Sequence, residues 1–297
     1  MANNIQITVF TPSFNRSDLL RKLYVSLCRQ TCRNFEWLIV DDGSTDSTEI
    51  VVNEWILEQK VDIVYYKQKN SGKHVAHNVG VALCKTELFF CVDSDDILTD
   101  DAIMLILSTW KNIPAQIKKI YSGIVAYRGI NQNTLIGTEF PTNVIACPLK
   151  QLYRMGKKGD TALVFRTSVL RGYPFPVFKG EKFLRENLVY DLIDEKYSLF
   201  ILRKIIYIGN YLSDGLTQNA TMLEMKSPKG AALYRYKEYE KNRKTLYGIR
   251  QLAGYLFFSF KAGSGKEAIF KTGVFKSAIL SPLVLIGAVR YWIILRK

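Results

Sequence analysis

Histidine is almost missing from this chain: among 297 residues only His74 and His77 carry an imidazole. They stand three positions apart with no third ligand evident nearby, which argues against a zinc site. Cysteine is sparse too. Cys28, Cys32, Cys84, Cys91 and Cys147 are odd in number, form no CxxC pair and have mostly apolar neighbours, the pattern of small buried hydrophobes in a reducing compartment rather than a disulfide framework. The opening MANNIQITVF lacks a basic region leading into an apolar stretch and a small-residue cleavage site. No secretory signal is read from it, and the chain is expected to stay in the cytoplasm. Repeats and low-complexity tracts are absent as well.

What is present suffices for folding: 48% hydrophobic and 23% charged residues allow one large core or two modest ones and exclude disorder as the main state. The net charge of +14 is uneven. Residues 226–297 hold 15 of the 41 Lys and Arg but 3 of the 27 Asp and Glu, so nearly all the excess lies in the tail. A basic tail points to an acidic partner surface, anionic lipid or nucleic acid.

Along the first part, short β-type runs alternate with segments of helical period, as in βα units feeding a parallel sheet. Strands are expected at 5–10, 35–40, 61–66, 87–92 and 120–127. A helix capped by Ser17 or Asp18 should follow the first, one starting at Ser44, Thr45 or Asp46 the second, and one at 101–110 should precede the last. Residues 131–211 are turn-rich and read as the second half of the same domain. Beyond Asn219 the composition turns to Lys, Arg, Tyr, Leu and Phe at helical spacing, placing a boundary near 220.

Two acidic constellations follow strand ends, where open α/β sheets bind ligands. Asp93-Ser94-Asp95-Asp96 offers the hard oxygen ligands that a divalent cation takes, although acidic clusters also cap helices and Thr99, Asp100 and Asp101 lie just beyond. Asp41-Asp42-Gly43-Ser44-Thr45-Asp46 offers a tight turn with Gly43 at positive φ. A carboxylate there can accept the N3–H of uracil or thymine, whereas cytosine has no such donor; guanine has ring N–H groups, so the base stays open.

Taken in order, TPSFNR, the stretch 26–31, Phe35-Glu36 running into VDDGSTD, NSGKHVAHNVG and FCVDSDD resemble the family 2 glycosyltransferases of GT-A fold. Gly159-Asp160, FPVFKGEKFLREN and NYLSDGLTQN resemble a bacterial subgroup making capsular polysaccharides and exopolysaccharides. The resemblance implies a Rossmann-like, doubly wound, mostly parallel α/β sheet over residues 1–220, with a nucleotide-sugar half at 1–130 and an acceptor half at 131–220, followed by a basic, amphipathic helical region at 221–297. It implies an inverting transfer from a nucleoside-diphosphate sugar, a UDP-sugar above all, to a glycan or lipid-linked acceptor. Pro12 and Phe14 then match the loop packed on the base and Asp42 its carboxylate. Lys73 matches a basic position near the diphosphate. Asp93 and Asp95 match the DxD pair for Mg²⁺ or Mn²⁺, with Asp95 the direct ligand and Asp93 nearer the ribose. His74 departs from many relatives, and its role stays open. Inversion needs a base opposite the leaving group; Glu186, in Glu186-Asn187, is the first choice, with Glu181 and Asp191 as rivals.

Two other readings stand beside this one. A nucleotidyltransferase would carry a Gly-rich, Lys/Arg-bearing phosphate loop after the first strand, which TPSFNRS is not. A basic nucleic-acid-binding protein rests on the tail charge alone, and the tail interleaves its lysines with Leu252, Tyr255, Leu256, Phe257, Phe258 and Phe260, as expected of a helix on lipid. No nucleic-acid partner is expected. The stretch 279–295 is apolar but interrupted by Pro282 and Arg290, short of the roughly 20 apolar residues of a span. Lys261, Lys266, Lys271 and Lys276 are spaced to reach headgroups, so the expectation is peripheral attachment to the inner, anionic face of the cell membrane.

Overall fold

A computed structural model describes residues 5–209 and 219–295, with side chains described as far as residue 287. The expected motif residues 210–218 lie outside the described residues. The chain divides into two compact units, residues 1–174 with 189–211, and residues 175–188 with 212–297.

The first unit runs β1 (Ile7–Ser13), α1 (Ser17–Cys28), β2 (Phe35–Asp41), α2 (Thr48–Glu58), β3 (Ile63–Lys67), α3 (Lys73–Leu83), β4 (Leu88–Cys91), β5 (Ile97–Leu98), α4 (Ala102–Asn112), α5 (Ala115–Lys118), β6 (Tyr121–Gly129), β7 (Ala146–Cys147), α6 (Leu149–Arg154), β8 (Thr161–Arg166) and α7 (Thr167–Gly172). After α8 (Asn187–Asp194), which starts in the other unit, comes β9 (Ser198–Ile208). One sheet has the order β3-β2-β1-β4-β8-β6-β9-β5, with β7 paired to β9. Its β3-β2-β1-β4 half is wholly parallel, and β6 and β9 are also parallel. β8 enters antiparallel between β4 and β6.

β1 extends three residues beyond the expected run, because Thr11, Pro12 and Ser13 continue the ladder opposite Ile39, Val40 and Asp41 of β2. Its core neighbours are apolar on both faces, as a covered parallel strand requires. On one side Tyr24, Trp37 and Trp55 stack with centroids 4.4–6.3 Å apart, and the Trp37 indole N–H donates to Thr11 Oγ1 at 2.9 Å. Each such side chain contributes about 1.5–3 kcal/mol by leaving water.

The helix starts differ from the expected local caps. Ser17 is the first residue of α1, and Arg16 ahead of it makes no side-chain cap. Instead Asp46 accepts from Ser17 N through Oδ2 at 3.1 Å, and through Oδ1 from Thr48 N and Oγ1 at 3.0 and 2.6 Å. One carboxylate thus satisfies the first turns of α1 and α2 together. Burial works to raise its pKa, but these hydrogen bonds outweigh it and hold the group below the ordinary value.

The second unit is helical: α9 (Ala220–Lys226), α10 (Pro228–Lys241), α11 (Leu246–Lys261), α12 (Gly265–Thr272) and α13 (Val274–Leu295). Leu252, Leu256, Ala268 and Leu280 form one small core; Met225, Ala231, Ala232 and Phe258 form another. Buried Glu224 pairs with both Arg185 and Arg235. Pro282 lies inside α13 rather than ending it. Among the described residues no single helix is long and apolar enough to cross a membrane; α12 and 274–287 of α13 reach that composition together but are bent by 120°.

Candidate active site

Because β1 lies between β2 and β4, the segments leaving the carboxyl ends of these three parallel strands are neighbours. They carry Phe14, Asp42 and Asp93.

After β4 the chain makes a turn closed by Asp96 N donating to Asp93 O at 3.2 Å. Ligand atoms of Asp93, Asp95 and Asp96 come within 4.8 Å of one another. Lys73, the first residue of α3, places Nζ 2.7 Å from Asp93 Oδ1, so this cluster already attracts a cation. Oxygen-only donors at such spacing suit a hard divalent ion. Burial works to raise the Asp93 carboxyl's pKa, but the Lys73 ammonium outweighs it and holds the group below the usual value.

Asp96 is 2% exposed. Its Oδ2 accepts from Arg128 Nη2 and from the Tyr207 hydroxyl, each at 2.7 Å, and the Tyr207 oxygen in turn accepts from Asp93 N at 2.9 Å. The Arg128 guanidinium lies over the Tyr207 ring, 4.6 Å from its centroid, and reaches Asp160 at 3.8 Å. Burial, joined by the charge of Asp93, raises the Asp96 pKa against the pull of Arg128. Burial also drives the Tyr207 phenol far above its ordinary value, so it stays a neutral donor. Sequence reasoning named neither Arg128 nor Tyr207. Both lie over 30 residues from the acidic run, on β6 and β9, and an isolated Arg or Tyr in a strand gives no signal of where sheet pairing will put it.

Asp42 lies on the other side of β1. Its Oδ1 accepts from Gln68 Nε2 and Ser71 N, and its Oδ2 from Gly72 N, all at 2.7 Å. A carboxylate offers about four acceptor positions, so one on Oδ2 remains for an N–H donor. Gly43 has φ +82°, as the tight turn requires, and a Cβ there would come within 2.9 Å of Asn70 N. Asp41 is fully buried and structural: it accepts from Ser44 N at 2.7 Å and from the Tyr65 hydroxyl at 2.6 Å. Pro12 is half-buried on β1, whereas Phe14 just beyond is 45% exposed, an apolar ring available for stacking.

His74 and His77 both lie on α3 and are buried. His74 Nδ1 has no hydrogen-bond partner among the described residues. Burial lowers its pKa although Asp42 pulls the other way, so the ring is neutral. His77 packs edge-on to Phe10 and Phe89, centroids 5.7 and 5.3 Å away, and burial brings its pKa down to about 3.

The three carboxylates considered as base have different surroundings. Glu181 is buried and accepts from Lys229 N and Gly230 N at 2.7 and 2.8 Å, capping α10. Asp191 pairs with Lys150 at 2.9 Å, its side chain 13% exposed. Glu186 is half-buried, immediately ahead of α8.

A model of glycosyl transferase family 2 matches residues 8–174, more than half of the chain; the chain belongs to this family of glycosyltransferases. It is 36% identical over 98 residues to the glycosyltransferase GlyA of Streptococcus pneumoniae serotype 4, covering 33% of this chain and 14% of the relative. Over 103 residues it is 33% identical to the poly(ribitol-phosphate) beta-N-acetylglucosaminyltransferase TarP of Staphylococcus aureus, covering 33% and 31%. These matches span less than a third of either relative's length. Among solved structures, the 1–349 fragment of S. aureus TarS in complex with UDP-GlcNAc superposes with a TM-score of 0.54 at 16% identity, covering 89% of each chain. The mannosyltransferase PcManGT of Pyrobaculum calidifontis, in complex with GDP-Man and Mn²⁺, gives 0.55 at 15% identity, covering 96% of this chain and 79% of that one. At such identities the likeness establishes the fold, which is GT-A.

Proposed function

We propose that this glycosyltransferase moves a sugar, with inversion, from a nucleoside diphosphate, preferably UDP, to a glycan or lipid-linked acceptor in bacterial surface polysaccharide synthesis. The observation carrying this reading is the pairing of two carboxylate sites at the carboxyl ends of β2 and β4. One has an open acceptor position for a base N–H; the other is a carboxylate cluster already drawing in the Lys73 ammonium. The bound UDP-GlcNAc of TarS and the GDP-Man with Mn²⁺ of PcManGT support a nucleotide-sugar donor and a divalent cation here.

In this reading Phe14 and Pro12 pack on the base, and Asp42 Oδ2 accepts its N–H. Asp93 and Asp95 hold Mg²⁺ or Mn²⁺, Asp95 directly and Asp93 towards the ribose. When bound, the ion offsets the negative charge gathering on the diphosphate as the glycosidic bond breaks. Lys73, whose ammonium lies 2.7 Å from Asp93, would supply positive charge near the same diphosphate. Glu186, immediately ahead of α8, takes the proton of the attacking acceptor hydroxyl, with Glu181 and Asp191 as its rivals.

The tail attaches the enzyme peripherally at the inner leaflet. On α13 the residues at 277, 280, 284 and 287 are the covered or half-covered ones, while Phe275, Ile279, Leu283 and Ile286 form an exposed apolar face opposite; on α12 Phe270 is 89% exposed. Lys271 and Lys276 lie over the rings of Tyr236 and Tyr239 at 3.7 and 4.8 Å. The test of the function is a panel of nucleotide sugars with Mg²⁺ or Mn²⁺, scored for nucleoside-diphosphate release and for donor protection against thermal unfolding. UDP-sugars should lead in both, and a panel without response would refute the assignment.

A further inference from the structure

We infer that Asp96 is not a third ligand of the cation but, with Arg128 and Tyr207, a positioning unit that holds Asp93 and Asp95 in ligand geometry; this rests on the donor site proposed above. All three carboxylates of the turn lie close enough to share an ion, so their partners decide between the roles. One oxygen of Asp96 is committed to partners and the other is enclosed. Oδ2 takes two charge-assisted or hydroxyl hydrogen bonds, from Arg128 and Tyr207. Among the described residues Oδ1 is buried without a hydrogen-bond donor, and it faces the backbone of Gly209, where a Cβ would lie 1.8 Å from it and 2.5 Å from Arg128 Nη2. Withdrawing the carboxylate towards an ion would strand a guanidinium whose side chain is 16% exposed, and unpairing a buried charge is costly.

The same contacts reach the ligand turn. The Tyr207 oxygen accepts from Asp93 N while its proton goes to Asp96 Oδ2, so one phenol ties the first and last residues of the four-residue run. Tyr207 and Arg128 come from neighbouring strands, paired Arg128 to Tyr207 in the β6–β9 ladder, which gives the turn a rigid anchor. Charge agrees with this division: Arg128 neutralises Asp96, leaving the two carboxylates of Asp93 and Asp95 to face a divalent ion. Groups that orient metal ligands typically contribute about 10–100-fold in metal affinity.

The test uses the full chain, with Mn²⁺ binding followed by electron paramagnetic resonance in the presence of UDP and folding checked by thermal melts. Tyr207→Phe keeps the ring beneath the guanidinium and should weaken Mn²⁺ about tenfold. It should raise the Mn²⁺ needed for half-maximal turnover by a similar factor, while kcat at saturating Mn²⁺ stays within about threefold. Asp96→Asn and Arg128→Gln should each weaken Mn²⁺ comparably, and the double variant no more than the worse single one, because both act through one contact. Gly209→Ala, which alters no carboxylate, should give the same loss by displacing the pair. Multiplying losses in the double variant, or unchanged Mn²⁺ affinity in Tyr207→Phe and Gly209→Ala, would overturn the positioning role and leave the donor site standing. If the wild-type chain with UDP takes up no Mn²⁺, the donor-site reading falls and this inference with it.

Discussion

A single side chain, Asp95, carries the chemical claim. It is half-buried in a turn anchored by other residues, so its removal should spare the fold. Asp95→Ala is expected to lower turnover at least a hundredfold, a loss of about 3 kcal/mol or more of barrier stabilisation, with an unchanged thermal melt. Near-normal turnover of the folded variant in EDTA would remove the metal assignment. His77 supports a separate prediction about pH. Its pKa lies near 3 in the folded chain and near 6.5 unfolded, so below pH 6.5 the unfolded state takes up a proton that the native state refuses. The stability it contributes is complete above pH 6.5 and is lost as pH falls towards 3, by about 2 kcal/mol between pH 8 and 5. Urea midpoints should show that loss in the wild type beyond that of His77→Phe; equal losses in the two would contradict the buried neutral ring. At this scale the gathering of Asp93, Asp95 and Lys73 at one strand end, and of Asp42 at a nearby one, was legible because each sits within a contiguous motif. Arg128 and Tyr207 were not, since their importance arises from strand pairing across the sheet.

Among the elements, α10 and α8 give the sharpest contrasts. Glu181 holds the first turn of α10 through two backbone N–H groups, so Glu181→Ala should destabilise the chain by about 1–2 kcal/mol while kcat remains near normal. Glu186→Gln should do the reverse, keeping stability and donor binding but lowering kcat about 10²–10⁴-fold. Activity surviving in Glu186→Gln and vanishing in Glu181→Gln would move the base to Glu181. The βα succession and its strand ends could be read from periodicity within a few residues, since β1, β2 and β4 are mostly buried runs flanked by turn chemistry. The insertion of β8 between β4 and β6, and the double cap by Asp46, depend on contacts between residues far apart in the chain, which local patterns do not encode.

For the whole molecule, charge and apolar exposure are concentrated in the same helices. Residues 226–297 hold most of the net positive charge, and the outward side of α13 is apolar where solvent exposure alone would favour polar residues. The full chain should sediment with anionic vesicles at low salt and be released at high salt. Phe270→Glu together with Phe275→Glu should weaken that binding about tenfold or more. No binding at low salt would remove the membrane role, and retention through high-salt and carbonate washes would replace peripheral attachment with integration. The basic amphipathic character of this region was plain in the sequence; the path of the chain through Pro282 as one continuous helix was not, because local helix propensities are overridden where neighbouring helices pack. The central claim remains metal-dependent transfer from a nucleotide sugar, and its most direct test is the rate of UDP release from UDP-sugars with Mn²⁺ and then with excess EDTA. The account predicts release that requires the metal and disappears in Asp95→Ala. An equal rate in EDTA, or no release from any nucleotide sugar with Mn²⁺ and an acceptor glycan present, would contradict it.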